Sequence, residues 1–265
     1  MKWYLGITQE TLPNYADMIR VALYSAKLFT NLRPYVLFDG DPCVFTEYLD
    51  CLGVTVIFNR LSFDDQIKAA QERYFPHWDH YMKTARGAFQ RLDIPMVEQE
   101  EEYVLYTDCD VVFNATVSFD HLRPDIFSVA PQFRKDGHKS FEINSGIMIM
   151  NVPRLRRDLA AIIELGCEIA GSEGLGYDQE FLEKFYRGRW DPLPLTYNWK
   201  PYWGVNNGAR IIHWHGPKPE TVSGLLEQND YPANELHKSL FEADRTAYSH
   251  YLKQWSSFER YAPQI

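Results

Sequence analysis

The 265-residue chain has no apolar run of membrane-span length. Its opening, "MKWYLGITQE", lacks the apolar stretch and cleavage site of a secretory leader, so a cytoplasmic protein is expected. It has only four cysteines, Cys43, Cys51, Cys109 and Cys167. None shows the paired spacing of a zinc site, and they read as reduced thiols. Positive charge is also short: 27 Lys and Arg stand against 36 Asp and Glu, a net charge of −9, which argues against a nucleic-acid surface. There is no amino-terminal glycine-rich phosphate loop, no internal repeat and no low-complexity linker.

What the chain has in quantity is aromatic: 17 Tyr, 16 Phe and 7 Trp. Such side chains fill cores and also line sites that grip ring-shaped ligands. Short apolar runs at 3–7, 35–38, 54–58, 103–107 and 126–130 alternate with segments of helical spacing. In residues 14–29, for example, Met18, Val21, Ala22, Tyr24 and Ser25 trace one face. This alternation predicts an α/β fold with a mainly parallel central sheet flanked by helices. Ligands of such sheets bind outside the carboxyl ends of the strands. Further helices are expected at 79–95, stopped by Pro95, at 154–170 and at 177–186. A strand is expected at 141–152, with a polar break at Asn144, Ser145 and Gly146, and a short one inside 209–219. From residue 233 the chain reads as helical and aromatic, which predicts one domain over 1–232 and a helical extension over 233–265.

The stretch "YVLYTDCDVVF" places Asp108 and Asp110 just past a buried strand. Residues two apart on an extended chain point the same way, so the carboxylates converge, and a divalent cation relieves their repulsion. Asp is also common in the turns that follow strands, where it bonds its own backbone. In "IIHWHGPKP", His213 offers an imidazole nitrogen, Lys218 a charge that can neutralise a diphosphate, and Gly216 an opening for close backbone approach. Carboxylates mixed with imidazole favour Mn²⁺ over Mg²⁺.

Four blocks, "YVLYTDCDVVF", "FEINSGIMIMN", "GYDQEFLEKFY" and "IIHWHGPKP", resemble in their order those of glycosyltransferase family 8, over about residues 79–219. The resemblance implies a GT-A (Rossmann-like) fold, a nucleotide-sugar donor and Mn²⁺. It implies Asp108, Asp110 and His213 as metal ligands, with Asp108 also at the ribose, and Arg91 of "RLDIP" at the nucleotide sugar. Lys83 and Arg86, on the same expected helix, join the donor contacts. Asn144 and Asp178 would bond hydroxyls of the donor sugar, with Ser145 and Gly146 beside them, and Gln179 would lie beneath the anomeric carbon. Lys218 and Gly216 would hold the diphosphate, and Tyr197, Asn198 and Trp199 would border the acceptor. The chain departs from the family in three places. Its histidine loop is one residue shorter, which makes His215 a rival ligand. Glu220 stands where tryptophan is common. Near the amino terminus "GITQETLPNY" lacks the acidic residue that the family tends to place after the first strand, which leaves base contacts to Thr8 or Tyr15.

The activity so implied is hexosyl transfer, with retention, from a UDP-sugar to a glycan or lipid-linked glycan of a surface polysaccharide. Rival readings are an inverting enzyme using Asp178 or Glu180 as base, a sugar nucleotidyltransferase, and a glycan-binding protein without turnover. In residues 233–265, Lys238, Arg245, Lys253 and Arg260 are balanced by Glu235, Glu242, Asp244 and Glu259. Peripheral contact with the inner face of a membrane and packing against a sister subunit are both open to that segment.

Overall fold

The computed structural model describes residues 1–78, 80–133, 142–228 and 231–265. Asp79 and Phe141, where a helix and a strand were expected to start, lie outside the described residues. In chain order the elements are β1 (Lys2–Thr8), α1 (Leu12–Phe29), β2 (Arg33–Asp39), α2 (Val44–Cys51), β3 (Thr55–Phe58), α3 (Asp64–Tyr74) and α4 (Tyr81–Val97). There follow β4 (Tyr103–Thr107), β5 (Val111–Phe113), β6 (Phe127–Pro131), β7 (Ile143–Asn151), α5 (Val152–Glu173) and α6 (Asp178–Tyr186). The last are β8 (Asp191–Pro192), two single 3₁₀ turns at Leu195–Tyr197 and Pro201–Trp203, β9 (Ile211–His213), α7 (Pro219–Glu227), α8 (Glu235–Ala243) and α9 (Arg245–Tyr261).

The chain divides into two compact units, one of Met1–Asn14, Leu32–Asp108 and Phe119–Leu193, the other of Tyr15–Asn31, Cys109–Ser118 and Pro194–Ile265. The boundary expected between residues 232 and 233 instead falls inside the second unit. The physical reason is its core, where Tyr248, Tyr251 and Trp255 of α9 share one cluster with Trp199, Trp203 and Trp214. A helix carrying three such rings cannot be a separate appendage without exposing them.

The first unit is built on a seven-stranded sheet in the order β3-β2-β1-β4-β7-β6-β8. The pairs β3-β2, β2-β1, β1-β4 and β6-β8 are parallel, and β7 is antiparallel to both of its neighbours. Strands β4 and β7 are buried on both faces, as a central strand covered by helices must be. Helix α4 approaches β1 closely because Gly6 has no Cβ; one placed there would come within 2.7 Å of Gln90 Cβ. At the amino-terminal end of β1, the Glu98 carboxylate accepts from Tyr4 Oη (2.6 Å), Lys2 Nζ (3.2 Å) and the amides of Glu100 and Glu101. The far ends of the strands carry the residues of interest.

Two sequence expectations changed locally. Pro95 does not stop α4, which runs to Val97; proline in a last turn forfeits one hydrogen bond, and Glu98 N still bonds Ile94 O (2.9 Å). The polar triplet Asn144-Ser145-Gly146 does not end β7, which runs from Ile143 to Asn151, but the ladder with β6 shifts register there, between Ala130↔Asn144 and Ser128↔Ile149.

In the second unit, β5 and β9 form an antiparallel pair that matches Val111 with His213. Helices α8 and α9 are each opened by a side-chain cap, Asn234 accepting from His237 N (2.7 Å) and Asp244 from Ala247 N (2.9 Å). Among the described residues no helix is long and apolar enough to cross a membrane.

Candidate functional site

In the first unit the polar groups gather around Arg91. Its place on α4 buries the guanidinium, which donates from Nη2 to Asp108 Oδ1 (2.9 Å) and from Nη1 to Ser145 Oγ (2.8 Å). Its Nε lies 3.0 Å from Asp178 Oδ2. The ring of Tyr106 sits 4.5 Å beneath the guanidinium, and its hydroxyl donates to Asp108 Oδ1 (2.8 Å). Tyr106 and Asp108 are two residues apart, so strand periodicity alone placed them together, a signal that the sequence reading did not use. Asp108 N donates to Gly146 O (2.7 Å), which ties the exit of β4 to β7.

Helix α6 brings its first two residues to the same place. Ser145 N donates to Gln179 Oε1 (3.2 Å). Asp178 is 3 % exposed, and burial pushes its carboxyl up to about 6 against the pull of Arg91, with Asp108 adding to the rise. Asn144 is buried, with Nδ2 directed at Gln132 Oε1 (3.4 Å). Thus Arg91, Asp108, Ser145, Gly146, Asp178 and Gln179 stand together as expected. Lys83 and Arg86 face elsewhere, Lys83 pairing with Glu10 (3.0 Å) and Arg86 with both oxygens of Asp64 (2.7 and 2.8 Å). Thr8 is buried, and its Oγ1 is shared with Thr11 Oγ1 (2.8 Å).

In the second unit the centre is Asp110. His213, paired across the β5-β9 ladder, points Nε2 at Asp110 Oδ1 (3.3 Å), and Lys218 bonds Asp110 Oδ2 and Trp214 O. On the other side of the ring, His213 Nδ1 lies 3.0 Å from Asn198 Oδ1. Burial alone would raise the Asp110 carboxyl, but Lys218 and His213 hold it well below the usual carboxylate range. His215, the rival, bonds Tyr202 Oη through Nδ1 (2.9 Å). Burial lowers the basicity of His215 far below that of an ordinary histidine, and His213 beside it adds to the effect.

Three second-unit residues have surroundings that sequence reasoning did not foresee. Asn198 is fully buried behind His213, and Trp199 lies in the core with Nε1 on Gly204 O (2.8 Å), so of the three expected acceptor residues only Tyr197 is half-exposed. Gly216 has φ +93°, and a Cβ there would meet Leu240 Cδ1 at 2.6 Å, so packing beneath α8 already requires glycine.

Asp110 Oδ1 is buried and receives no aligned hydrogen bond, although the His213 nitrogen is 3.3 Å away. A buried carboxylate oxygen left so, next to an imidazole whose far nitrogen is held by an amide, fits a divalent cation: the donors are hard oxygen and nitrogen, and the outer partner is present.

No family model matches the chain, and no curated protein matches it. Solved structures do. A galactosyltransferase, LgtC, solved with donor and acceptor sugar analogues, is 16 % identical, with a TM-score of 0.67 over 100 % of this chain and 97 % of that one. The glycosyltransferase GlyE of Streptococcus pneumoniae TIGR4 is 17 % identical, with a TM-score of 0.60 over 97 % of this chain and 64 % of its own. Mouse xyloside xylosyltransferase 1 is 16 % identical, with a TM-score of 0.57 over 81 % and 98 %. The chain has the GT-A fold that these glycosyltransferases share.

Proposed function

We propose that the chain is a divalent-metal-dependent glycosyltransferase, related to family 8, that moves a hexosyl group from a UDP-sugar to a glycan or lipid-linked glycan with retention of configuration. The observation that carries the reading is the buried Asp110–His213 pair, with its unsatisfied carboxylate oxygen and with Asn198 behind the imidazole. The shared fold supports it. Asp110 and His213 would hold the cation together with Asp108, two residues upstream of Asp110 on the same chain. Mn²⁺ suits this mixture of oxygen and nitrogen, and Mg²⁺ suits it less.

When bound, the cation supplies positive charge to a diphosphate that becomes more negative as the sugar departs. The protein's own groups do the rest. Lys218 adds a second positive charge for the leaving group by exchanging Asp110 for a phosphate oxygen. Asp178 accepts from sugar hydroxyls in its ionised form and is kept in place by Arg91. Gln179 presents its amide oxygen to the face of the sugar opposite the leaving group, and the Ser145 N–H that donates to this oxygen makes it a weaker nucleophile. That favours front-face attack: the acceptor oxygen bonds the anomeric carbon, the bond to the phosphate oxygen breaks, and the acceptor's proton passes to that phosphate oxygen. The anomeric configuration of the product by NMR tests this step, and inversion overturns it.

The test of the reading as a whole is calorimetric titration of UDP with Mn²⁺ and again with a chelator. Binding only with Mn²⁺ is expected, and equal binding in both overturns the metal-dependent site.

A further inference from the structure

Strand β4 leaves β7 early. Their ladder runs from Asn151 to Ile147 and closes with one further bond, Asp108 N to Gly146 O (2.7 Å), whereas β7 itself reaches back to Ile143. On that remaining stretch two alternate amides of β7 find their acceptors in α6. Ser145 N donates to Gln179 Oε1 (3.2 Å), and Ile143 N donates to Glu183 Oε1 (2.6 Å). Gln179 and Glu183 are one helical turn apart and share a face of α6, as alternate amides share an edge of a strand. Two side chains of a helix thus do here what the carbonyls of a neighbouring strand do elsewhere. Asn144, expected at the donor sugar, lies between the two amides and is paired with Ala130 of β6.

The two contacts are unequal. Gln179 offers a neutral amide oxygen at 3.2 Å, and Glu183 a carboxylate at 2.6 Å, and bonds to an ionised acceptor are the shorter and stronger kind. Glu183 is therefore the anchor, and Gln179 the group that is anchored. Other contacts hold α6 elsewhere: Tyr177 N donates to Glu180 Oε2 (2.9 Å) at its start, and a Cβ at Gly166 of α5 would come within 2.3 Å of the Phe181 ring. These fix its first turn and its seat on α5, while the bond from Ile143 fixes its register against β7. Glu183 is half-buried, and among the described residues its carboxylate has no other hydrogen bond or ion pair. Burial pushes the carboxyl up to about 7; the Ile143 N–H opposes the rise, Glu180 and Glu142 add to it, and Lys184 opposes it.

We infer that Glu183 is a positioning residue of the transfer reaction: by holding Ile143 N it keeps α6 in register with β7, and so fixes the Gln179 amide and Asn144 relative to the donor sugar. The inference rests on the reading above, in which Gln179 and Asn144 face that sugar. Glu183 itself touches no reacting atom. Its loss acts on the rate, since a misplacement of about 1 Å at a reacting centre costs on the order of 100-fold. The nucleotide and the cation are held by other residues, and their affinity is unaffected.

The test compares the full-length wild type with Glu183→Ala and Glu183→Gln. Hydrolysis of UDP-glucose and UDP-galactose and the calorimetric affinity for UDP are measured with Mn²⁺, and the amide resonances of Ile143, Ser145 and the Gln179 side chain by ¹⁵N NMR on the metal-free chain. Glu183→Ala should lower kcat about 10- to 100-fold and leave UDP affinity unchanged. It should also shift the Ser145 and Gln179 resonances, although neither group touches residue 183. Glu183→Gln, whose amide oxygen still accepts from Ile143 N, should restore most of kcat. The Ile143 amide should titrate near pH 7 in the wild type and not in Glu183→Gln. If Glu183→Ala does not fold, Glu183→Asp, which is too short to reach Ile143 N from the same backbone, takes its place. Unmoved Ser145 and Gln179 resonances overturn the inference at any rate of hydrolysis, and so does an unchanged kcat. Glu183→Gln as slow as Glu183→Ala overturns it as well, because charge and not position would then be what the reaction needs. A wild type that neither binds UDP nor hydrolyses either sugar nucleotide overturns the function beneath it.

Discussion

His213 and Asn198 are joined 3.0 Å apart, Nδ1 to Oδ1, so the amide oxygen of Asn198 selects the tautomer that carries the proton on Nδ1 and leaves Nε2 to face Asp110. Asn198→Ala removes that selection without replacing any of the three proposed ligands. Mn²⁺ affinity by calorimetry should fall about 10- to 100-fold, the usual effect of losing such an outer partner. The far-ultraviolet circular dichroism should be retained. Wild-type affinity in this variant would separate Asn198 from the metal.

Arg91 bridges Asp108, Ser145 and Asp178 from a buried position, and its removal leaves carboxylates behind. Arg91→Met should cost about 3–5 kcal/mol in urea unfolding at pH 8. The loss should be smaller at pH 5. The Asp178 carboxyl already stands at about 6, above its ordinary value, so its ionisation opposes folding as pH rises from about 4 through 6. Without Arg91 that window moves upward, and below it a protonated carboxyl needs no partner. Adding Asp178→Asn should therefore recover part of the loss at pH 8 and little at pH 5.

Glu98 works in the opposite direction. Burial would raise its carboxyl, but bonds from Tyr4, the Glu101 and Glu100 amides and Lys2 bring it down to about 2 from an ordinary 4.5. A depressed carboxyl contributes stability above its unfolded value and loses it as pH falls through the folded one. Acid titration of the wild type should show a fall between about pH 4.5 and 2. Glu98→Gln should remove that segment and cost about 3 kcal/mol at pH 7, from 1.36 kcal/mol per pH unit. Parallel stability curves for the two proteins between pH 5 and 2 would contradict the assignment.

Gly216→Ala meets two obstacles, a left-handed φ of +93° and the methyl of Leu240. A loss of about 1–3 kcal/mol is expected. Leu240→Ala made in the same chain relieves the collision and not the torsion, so the two losses should add to more than the double variant shows. Strict additivity would leave only the backbone term.

The parts of the molecule that could be read in advance were those with strong local signals. Strand β4 begins and ends where its apolar run does, and α6 starts within one residue of its expected limit. The gathering of Asp108, Ser145, Asp178 and Gln179 followed from four blocks in order. Strand β5 is three residues long, too short for any period to register. Helices α2 and α3 were not singled out, because neither carries motif chemistry or a long apolar face. Asn198 looked like an acceptor contact because a one-dimensional motif cannot tell a side chain that faces a ligand from one that faces a histidine. The two-unit division was hidden for a related reason: the second unit draws on three separated stretches, and no composition shift marks where the chain passes between units.

That construction has a consequence for how the chain is made. β5, at Val111–Phe113, finds its ladder partner in β9, at Ile211–His213. At synthesis rates of about 5–20 residues per second, the ribosome delivers the second strand roughly 5–20 s after the first. Through that interval Asp110 has been translated and its histidine has not. The sheet strands from β1 to β7 emerge before β9 does, so the Asp110–His213 pair is among the last contacts to form, and a nascent chain stalled before residue 211 has a sheet to fold but no His213 to set beside Asp110.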